Sequence, residues 1–333
     1  MFSRAARAGI AAALLVAAVS SSPAWGEVKV EKVAYANQPN CYRLTNGTVE
    51  VIVTTDIGPR ILRYALLGGE NILAEGLDAK VTTPMGVWMP YGGHRLWVAP
   101  ESFRLSYGPD SSPIQFEILP NGIKLISPID EKIGIQKTMT VTLADKGTTV
   151  TVLHRLTNYN VSPVDIAPWA LTIMNGGGQT ILPQEPYISH DDYLLPARTM
   201  VLWHYTDLSD PRWTIGKSYL RLRTDEKRTE PQKVGILNKQ GWAAYLRGKT
   251  LFVKRFPYNP REKYPDLQVN NETYTAGSFM ELETVGFMHH LQLDEFAEHT
   301  ERWYLFDNVE AGETEATLAA AITPLVAQTE PVK

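Results

Sequence analysis

The stretch FMELETVGFM, residues 279–288, alternates apolar and acidic residues in its first half. Successive side chains of a β-strand point to opposite faces of the sheet. Met280 and Leu282 would therefore face one side, toward a core. Glu281 and Glu283 would face the other side, roughly 6–7 Å apart along the strand. The pattern predicts a strand that is anchored by its apolar face and presents two carboxylates on the opposite face.

The same alternation recurs along most of the chain, between short segments rich in Gly, Pro, Asn and Asp. Residues 47–58 alternate in this way, and Lys137–Leu143 and Thr149–Leu156 read as the two strands of a hairpin. Beyond the N-terminal segment, helical spacing is clear only at Glu313–Ile322, and Pro324 is expected to end or kink that helix. Many short strands joined by turns predict an all-β fold, a large antiparallel β-sandwich.

The first 26 residues have the pattern of a targeting segment. Arg4 and Arg7 precede an apolar run at residues 8–19, and small residues follow it. A membrane anchor is the alternative, but the run is shorter than the roughly 20 residues that a spanning helix needs. We predict a signal peptide at residues 1–26, export to the periplasm or the medium, and no membrane association after cleavage. Residues 27–333 contain no linker or internal repeat and are predicted to form one domain.

The composition and motifs of the sequence exclude several classes of partner and cofactor. Its formal charge is −4, and loss of the two arginines with the signal peptide makes it more acidic, so nucleic acid is not an expected partner. Cys41 is the only cysteine, which excludes an internal disulfide and favours a buried thiol. The sequence contains no nucleotide-binding loop, no serine-hydrolase motif and no convincing metal spacing. We therefore expect neither a cofactor nor a metal.

Two aromatic-rich stretches, residues 84–103 and 202–213, interrupt the strand pattern. Aromatic loops on a rigid scaffold are suitable walls for a ligand site. They suit sugars because the apolar faces of a pyranose stack on aromatic rings while its hydroxyl groups need polar partners. The alternative is that these rings fill the ends of the sandwich.

Several polar residues are candidates for such a site. His94 can exchange a proton near neutral pH, and Arg95 offers a fork of donors to oxygen ligands. His94 could equally be a structural histidine. His154 shares a predicted strand face with apolar residues, which favours a hydrogen-bonded core histidine. Asp266, in the sequence KYPDLQ, would lie in a turn near the site or in a solvated loop.

The end of the chain resembles a known family. FMELETVGF, followed by LQLDEFAEHTERWYLF at residues 291–306, resembles the terminal signature of the galactose mutarotase (aldose 1-epimerase) superfamily. Residues 56–73 and 154–174 are similar to its first strands and its central strand pair. The motifs GPRI, GGHRLWVAPE, APWALT, LWHYTDLSDPRW, YPD and ELET together resemble a bacterial branch of mutarotase-like proteins. The resemblance implies the galactose mutarotase-like supersandwich and a carbohydrate ligand, a monosaccharide or a glycan fragment.

The resemblance also implies roles for individual residues. In sugar mutarotases a glutamate takes the proton of the anomeric hydroxyl, and a histidine protonates the ring oxygen. Glu283 matches the glutamate. Trp169 stands near the expected position of the acid histidine, so His94 is the remaining candidate acid. The candidate substrate-binding residues are Arg95, Trp97, Glu101, Trp169, Asp266 and Glu281.

Three functions remain open at this stage. The first is an exported carbohydrate-binding protein that could also act on the anomeric centre of a sugar. The second is an isomerase, an aldose 1-epimerase or sugar epimerase with Glu283 as base and His94 as acid. The third is a structural envelope protein with a vestigial cleft.

Overall fold

Two large antiparallel sheets form the protein, which confirms the predicted fold class. The computed structural model describes residues 27–77 and 79–332, so the predicted signal peptide lies outside the described residues. Sheet I has 11 strands and sheet II has 10.

Sheet I contains the acidic strand at Phe279–Val285. In spatial order its strands are β1 (Lys29–Tyr35), β2 (Gln38–Thr45), β3 (Val49–Thr54), β4 (Arg60–Leu66), β7 (Gly93–Ala99), β12 (Val164–Met174), β21 (Phe279–Val285), β20 (Asn271–Ala276), β17 (Gln232–Ile236) and β14 (Met200–Leu202), with β22 (His289–Leu291) paired to β12.

Sheet II closes the other side of the sandwich. In spatial order its strands are β15 (Trp213–Ile215), β16 (Tyr219–Arg223), β13 (Gly178–Pro183), β18 (Trp242–Arg247), β19 (Thr250–Arg255), β23 (Phe296–Phe306), β11 (Val150–Asn158), β10 (Ile135–Leu143), β9 (Gly122–Asp130) and β8 (Gln115–Leu119). A separate two-stranded hairpin consists of β5 (Val81–Thr83) and β6 (Gly86–Trp88).

The main core lies between the inner faces of the two sheets. Met280 and Leu282 of sheet I are fully buried in the same apolar cluster as Val141 and Val152 of sheet II. Burial of each such side chain stabilises the fold by roughly 1.5–3 kcal/mol. The predicted alternation is therefore confirmed, because the core takes the even-numbered side chains of β21 and leaves the odd-numbered ones on the outer face of sheet I.

Two local predictions from the sequence are also confirmed. The predicted hairpin is formed by β10 and β11, and each strand is two residues longer at its open end than expected. Cys41 is fully buried as a free thiol.

The C-terminal helix extends further than the sequence predicted. Helix α2 (Glu315–Val326) begins after Thr314, whose side chain accepts a hydrogen bond from the backbone of Thr317, and it continues through Pro324. The predicted end was wrong because Val326 is buried in an apolar cluster on sheet II and its carbonyl accepts a hydrogen bond of 2.8 Å from Arg255. These contacts hold the last turn in helical form despite the proline.

A second, very short helical element follows β19. It is the four-residue turn α1 (Pro265–Gln268), in which Asp266, Leu267 and Gln268 all have positive φ. In the described part of the chain, no helix combines the length and the apolar character that a bilayer crossing requires.

Candidate functional site

Strand register gathers charged side chains on the outer face of sheet I. Leu171 of β12 lies opposite both Arg95 of β7 and Glu283 of β21, and Glu283 lies opposite Glu272 of β20. Paired residues of antiparallel strands project to the same face, so these side chains form one row. Neighbouring rows add the rest of what we name the outer-face cluster: Arg95, Trp97, Trp169, Lys233, Glu272, Glu281 and Glu283.

Glu283 lies at the centre of this cluster and is fully buried. Its Oε2 accepts a hydrogen bond of 2.8 Å from Trp169 Nε1 and lies 3.3 Å from Lys233 Nζ. Its Oε1 has no hydrogen-bond partner among the described residues. One oxygen therefore fixes the carboxylate, and the other is a buried acceptor without a partner among the described residues.

Lys233 links the carboxylates of Glu272 and Glu283. Its Nζ lies 2.7 Å from Glu272 Oε2, in addition to its contact with Glu283. The same ammonium lies 4.7 Å from the ring centroid of Trp169 and 4.6 Å from that of Trp203. Burial alone would lower the pKa of Lys233, but the two carboxylates raise it well above its usual value, so the side chain is a cation.

Neither Lys233 nor Glu272 was predicted as a site residue. Lys233 is the only charged residue of the strand QKVGI, and an isolated charge of this kind was the one available signal. Burial raises the pKa of Glu272 well above its usual range, Lys233 opposes this shift, and the charge of Glu283 adds to it.

Arg95 and Glu281 form the second ion pair of the cluster. Arg95 is 2% exposed, and its Nη2 donates to Glu281 Oε1 at 3.1 Å. The guanidinium lies 5.1 Å from the ring centroid of Trp88 and 4.5 Å from that of Trp97. Its Nε and Nη1 have no hydrogen-bond partner among the described residues. Arg95 therefore brings two unpartnered donors to the same face as the free oxygen of Glu283.

Burial also affects Glu281. It raises the pKa of this carboxyl, Arg95 lowers it, and the nearby charge of Glu283 raises it again. Two residues of one strand therefore carry carboxyl groups in different environments, because one is paired with an arginine and the other with a tryptophan and a lysine.

Aromatic side chains surround the polar groups. Trp97 packs against Trp88 at 5.2 Å and against Trp169 at 5.3 Å between ring centroids. Tyr107 lies against Trp97 and donates a hydrogen bond of 2.6 Å to Glu101. Glu101 is itself exposed, so it lies at the rim of the site and not within the cluster.

The two aromatic-rich stretches differ in what they contribute. Residues 84–103 supply Trp97 to the outer-face cluster and place Trp88 against Arg95, and residues 202–213 place Trp203 against Lys233. Trp213 instead packs in the main core and donates a hydrogen bond to Gln232. For Trp213 the alternative interpretation, a ring that fills the sandwich, is the correct one.

His94 lies on the other face of the sheet. It is fully buried between the two sheets, where its Nδ1 is 2.8 Å from Thr172 Oγ1 and its Nε2 is 2.7 Å from His154 Nε2. Because His94 precedes Arg95 in β7, strand alternation sends the two side chains to opposite faces. The structure therefore separates His94 from Glu283, and the predicted acid–base pair lacks a geometric basis.

The histidines belong to a continuous hydrogen-bond chain between the sheets, which we name the inner network. Lys254 Nζ donates to Thr172 Oγ1 at 2.6 Å and lies 2.9 Å from Glu301. The Thr172 hydroxyl can then donate to His94, His94 to His154, and His154 Nδ1 to the carbonyl of His299 at 2.9 Å. The predicted role of His154 as a hydrogen-bonded core histidine agrees with this geometry.

The inner network also contains a group with metal-like spacing. Ligand atoms of His94, His154 and Glu301 lie within 4.8 Å of one another. The ammonium of Lys254 contacts Glu301, and the hydrogen-bond chain uses both ring nitrogens of each of these two histidines. These residues form a complete network of their own, and the donor set does not fit a cation.

Asp266 lies beside the outer-face cluster, on the left-handed turn α1. Its φ is 49°, and the next two residues have φ values of 63° and 76°. The side chain is half-buried and borders a cavity of about 350 Å³. Burial raises the pKa of this carboxyl, Lys233 lowers it, and the charges of Glu101 and Glu283 raise it. Trp203 lines the same cavity and contacts Lys233, so the cavity adjoins the cluster.

Comparison with solved structures assigns the fold. A galactose mutarotase-like protein from Lactobacillus casei matches with a TM-score of 0.52 and 10% identity, over 80% of this chain and 100% of that one. A candidate aldose 1-epimerase from Klebsiella pneumoniae subsp. pneumoniae matches with a TM-score of 0.54 and 11% identity, over 92% of this chain and 88% of that one.

A third match is longer than this protein. A TPR-domain containing protein from Parabacteroides distasonis has a TM-score of 0.56 and 12% identity, and the match covers 83% of this chain but 49% of that one.

No protein-family model and no curated protein matches the sequence. The chain has the galactose mutarotase-like fold, as its sequence motifs implied.

Proposed function

We propose that this protein is an exported carbohydrate-binding protein and that the outer-face cluster is its sugar site. One observation carries the proposal. The free oxygen of Glu283 and the two free donors of Arg95 are buried on the same sheet face, between tryptophan rings. Buried polar atoms normally have partners, so unpartnered ones on one face of the same sheet favour a polar ligand.

The chemistry of the cluster suits hydroxyl groups. A sugar hydroxyl both donates and accepts, so it can donate to Glu283 Oε1 and accept from Arg95. The rings of Trp88, Trp97 and Trp169 offer the apolar surface that a pyranose face needs. Three carboxyl groups accompany two cations in the cluster, which favours neutral sugars over phosphorylated or other anionic ones.

A second candidate function, aldose 1-epimerase activity, is favoured by the geometry of Glu283 alone. Trp169 and Lys233 fix one oxygen of the carboxylate and leave the other free. This is the arrangement of a positioned general base that could take the proton of an anomeric hydroxyl.

Binding is tested by thermal unfolding with a panel of mono- and oligosaccharides. A ligand at 100 times its dissociation constant stabilises the folded protein by about 2.7 kcal/mol. We expect a neutral sugar to raise the Tm of the wild type and to have little effect on Arg95→Met. Glu298→Gln on sheet II, where Glu298 pairs with half-exposed Arg155, is the matched control that should bind normally. If no sugar or glycan fragment shifts the Tm of the wild type, the proposal is wrong.

Epimerase activity is tested separately by proton NMR of freshly dissolved α-anomers. Faster anomerisation with wild type, and loss of that acceleration in Glu283→Gln, would support the second function. Unchanged rates for every sugar in the panel would exclude it and would leave sugar binding untouched.

Export is tested on the full-length chain expressed in a Gram-negative host. The basic and apolar pattern of residues 1–26 supports it. We expect the mature protein in the periplasm or medium, with a mass that corresponds to cleavage after Gly26. Uncleaved protein in the cytosol would contradict the proposal.

A further inference from the structure

Ring opening of an aldose needs an acid as well as a base, because the ring oxygen must gain a proton when the anomeric hydroxyl loses one. Glu283 supplies a candidate base, and His94 lies on the other face of the sheet. A proton donor to the ring oxygen must therefore come from the outer face or from its rim.

The carboxyl groups near Glu283 differ in their partners. Glu272 contacts Lys233, Glu281 pairs with Arg95, and Glu101 accepts a hydrogen bond from Tyr107. Asp266 has no such contact with another described residue, and the nearby charges act on it only at a distance. It is the carboxyl group of this set that is free to hold a proton and to meet a ligand.

The backbone at Asp266 adopts a disfavoured conformation. Three consecutive non-glycine residues have left-handed φ values of 49°, 63° and 76°. Leu267 is 80% exposed, so its packing does not explain the conformation. The turn is closed by a hydrogen bond of 2.9 Å from Val269 N to Pro265 O. Conformations of this kind persist where the surrounding structure enforces them, and they concentrate at functional sites.

The position of Asp266 also fits an acid that acts across a ligand from Glu283. Trp203 lines the cavity that Asp266 borders, and the centroid of its ring lies 4.6 Å from Lys233 Nζ of the cluster. Lys233 in turn lies 3.3 Å from Glu283 Oε2. A sugar that enters from this cavity along the Trp203 ring would have Asp266 at the rim and Glu283 on the floor of the site.

We propose that Asp266 is the proton donor to the ring oxygen of the bound sugar and works in a pair with Glu283. The inference rests on the sugar site proposed above. Burial of Asp266 favours its protonated form, as this role requires.

The step balances within the sugar and the two carboxyl groups. Glu283 removes the proton of the hydroxyl on C1, and the C1–O1 bond becomes a carbonyl. The C1–O5 bond breaks, its electron pair goes to O5, and O5 takes the proton of Asp266. Rotation about C1–C2 and the reverse transfers close the ring as the other anomer and return both protons to their original positions.

The test compares Asp266→Asn with Asp294→Asn. Asp294 is a matched control because it also has a positive φ, 66°, and lies in the turn between β22 and β23. Each variant is assayed for sugar binding by thermal shift and for anomerisation by NMR. We expect Asp266→Asn to keep the dissociation constant within a few-fold and to lose roughly 10²–10⁴-fold in rate, while Asp294→Asn keeps both.

A second variant addresses the turn itself. Leu267→Gly keeps the carboxyl group and fits the left-handed conformation without strain, but it also lets the turn adopt other conformations. We therefore expect this variant to fold, to bind sugar and to anomerise it more slowly. Anomerisation by Asp266→Asn at the wild-type rate would overturn the proposal. So would a wild type that binds sugar without accelerating anomerisation, although the sugar site would then stand. Absence of any sugar binding would overturn both.

Discussion

Replacement of Lys233 by methionine tests the electrostatic arrangement of the outer-face cluster. The ammonium is 2.7 Å from Glu272 and 3.3 Å from Glu283, and both carboxyl groups are fully buried. Removing one partner of a buried ion pair leaves an uncompensated charge and costs about 3–5 kcal/mol. Loss of the contacts with Trp169 and Trp203 adds about 0.5–2 kcal/mol. We expect the free energy of unfolding to fall by about 3.5–7 kcal/mol at pH 7.

The loss of stability in Lys233→Met should depend on pH, and the direction of this dependence follows from the buried carboxyl groups. Without Lys233, the pKa of buried Glu272 is raised further above its value in the unfolded chain. A group of this kind destabilises the fold when it is ionised, and the penalty shrinks as the pH falls and the group takes up a proton. The stability difference between Lys233→Met and wild type should therefore be smaller at pH 5 than at pH 7.

Urea unfolding followed by tryptophan fluorescence at the two pH values measures this difference. Adding Glu272→Gln to Lys233→Met removes one carboxylate and should recover part of the lost stability. Lys249→Met is the matched control, because Lys249 pairs with Glu310 at the surface and should show no resolvable effect. A loss below about 1 kcal/mol at pH 7, or a loss that is equal at both pH values, would refute the assigned charges.

Three further predictions concern other parts of the structure. Burial lowers the pKa of His299 to about 3, so at pH 5 this side chain takes up a proton only when the protein unfolds, and the fold loses about 2 kcal/mol of stability between pH 7 and pH 5. Stability should therefore fall as the pH drops below about 6.5, and less so in His299→Gln, as measured by urea unfolding. Leu267→Gly should stabilise the protein by about 0.5 kcal/mol, since relief of the left-handed conformation outweighs the added freedom of the unfolded chain, and an unchanged or lower Tm would contradict this. Gly235→Ala should displace Trp203, because a Cβ atom there would lie 2.7 Å from Val269 and 3.3 Å from Trp203; we expect changed fluorescence and weaker sugar binding, and normal binding would count against a role for Trp203 as a wall of the site.

The sequence predicted those features that depend on strand period. Met280 and Leu282 lie in the core, and Glu281 and Glu283 lie on the outer face, because alternation within one strand is local information. The same rule could have corrected the pairing of His94 with Glu283. His94 and Arg95 are neighbours in β7, so they could not both project into one site.

The rest of the site depends on strand order, which the sequence pattern does not reveal. Lys233 and Glu283 are 50 residues apart in the chain, and they meet because β20 lies between β17 and β21 in sheet I. Glu272 enters the site because it lies directly opposite Glu283 on the adjacent strand. The left-handed turn at Asp266 was equally hidden, because its residues include no glycine that would signal positive φ.

The outer-face cluster and the inner network lie on opposite faces of the same strands. His94 and Arg95, and likewise Thr284 and Glu283, are sequence neighbours that serve opposite faces of sheet I. The hydrogen bonds of the inner network therefore restrain the same backbone segments that carry the outer-face cluster. The strands at the floor of the site are held rigidly, whereas the aromatic-rich segments around it are free to vary in sequence. At the proposed sugar site we therefore expect substitutions in residues 84–103 and 202–213 to change the preferred sugar without altering the strands that carry the cluster.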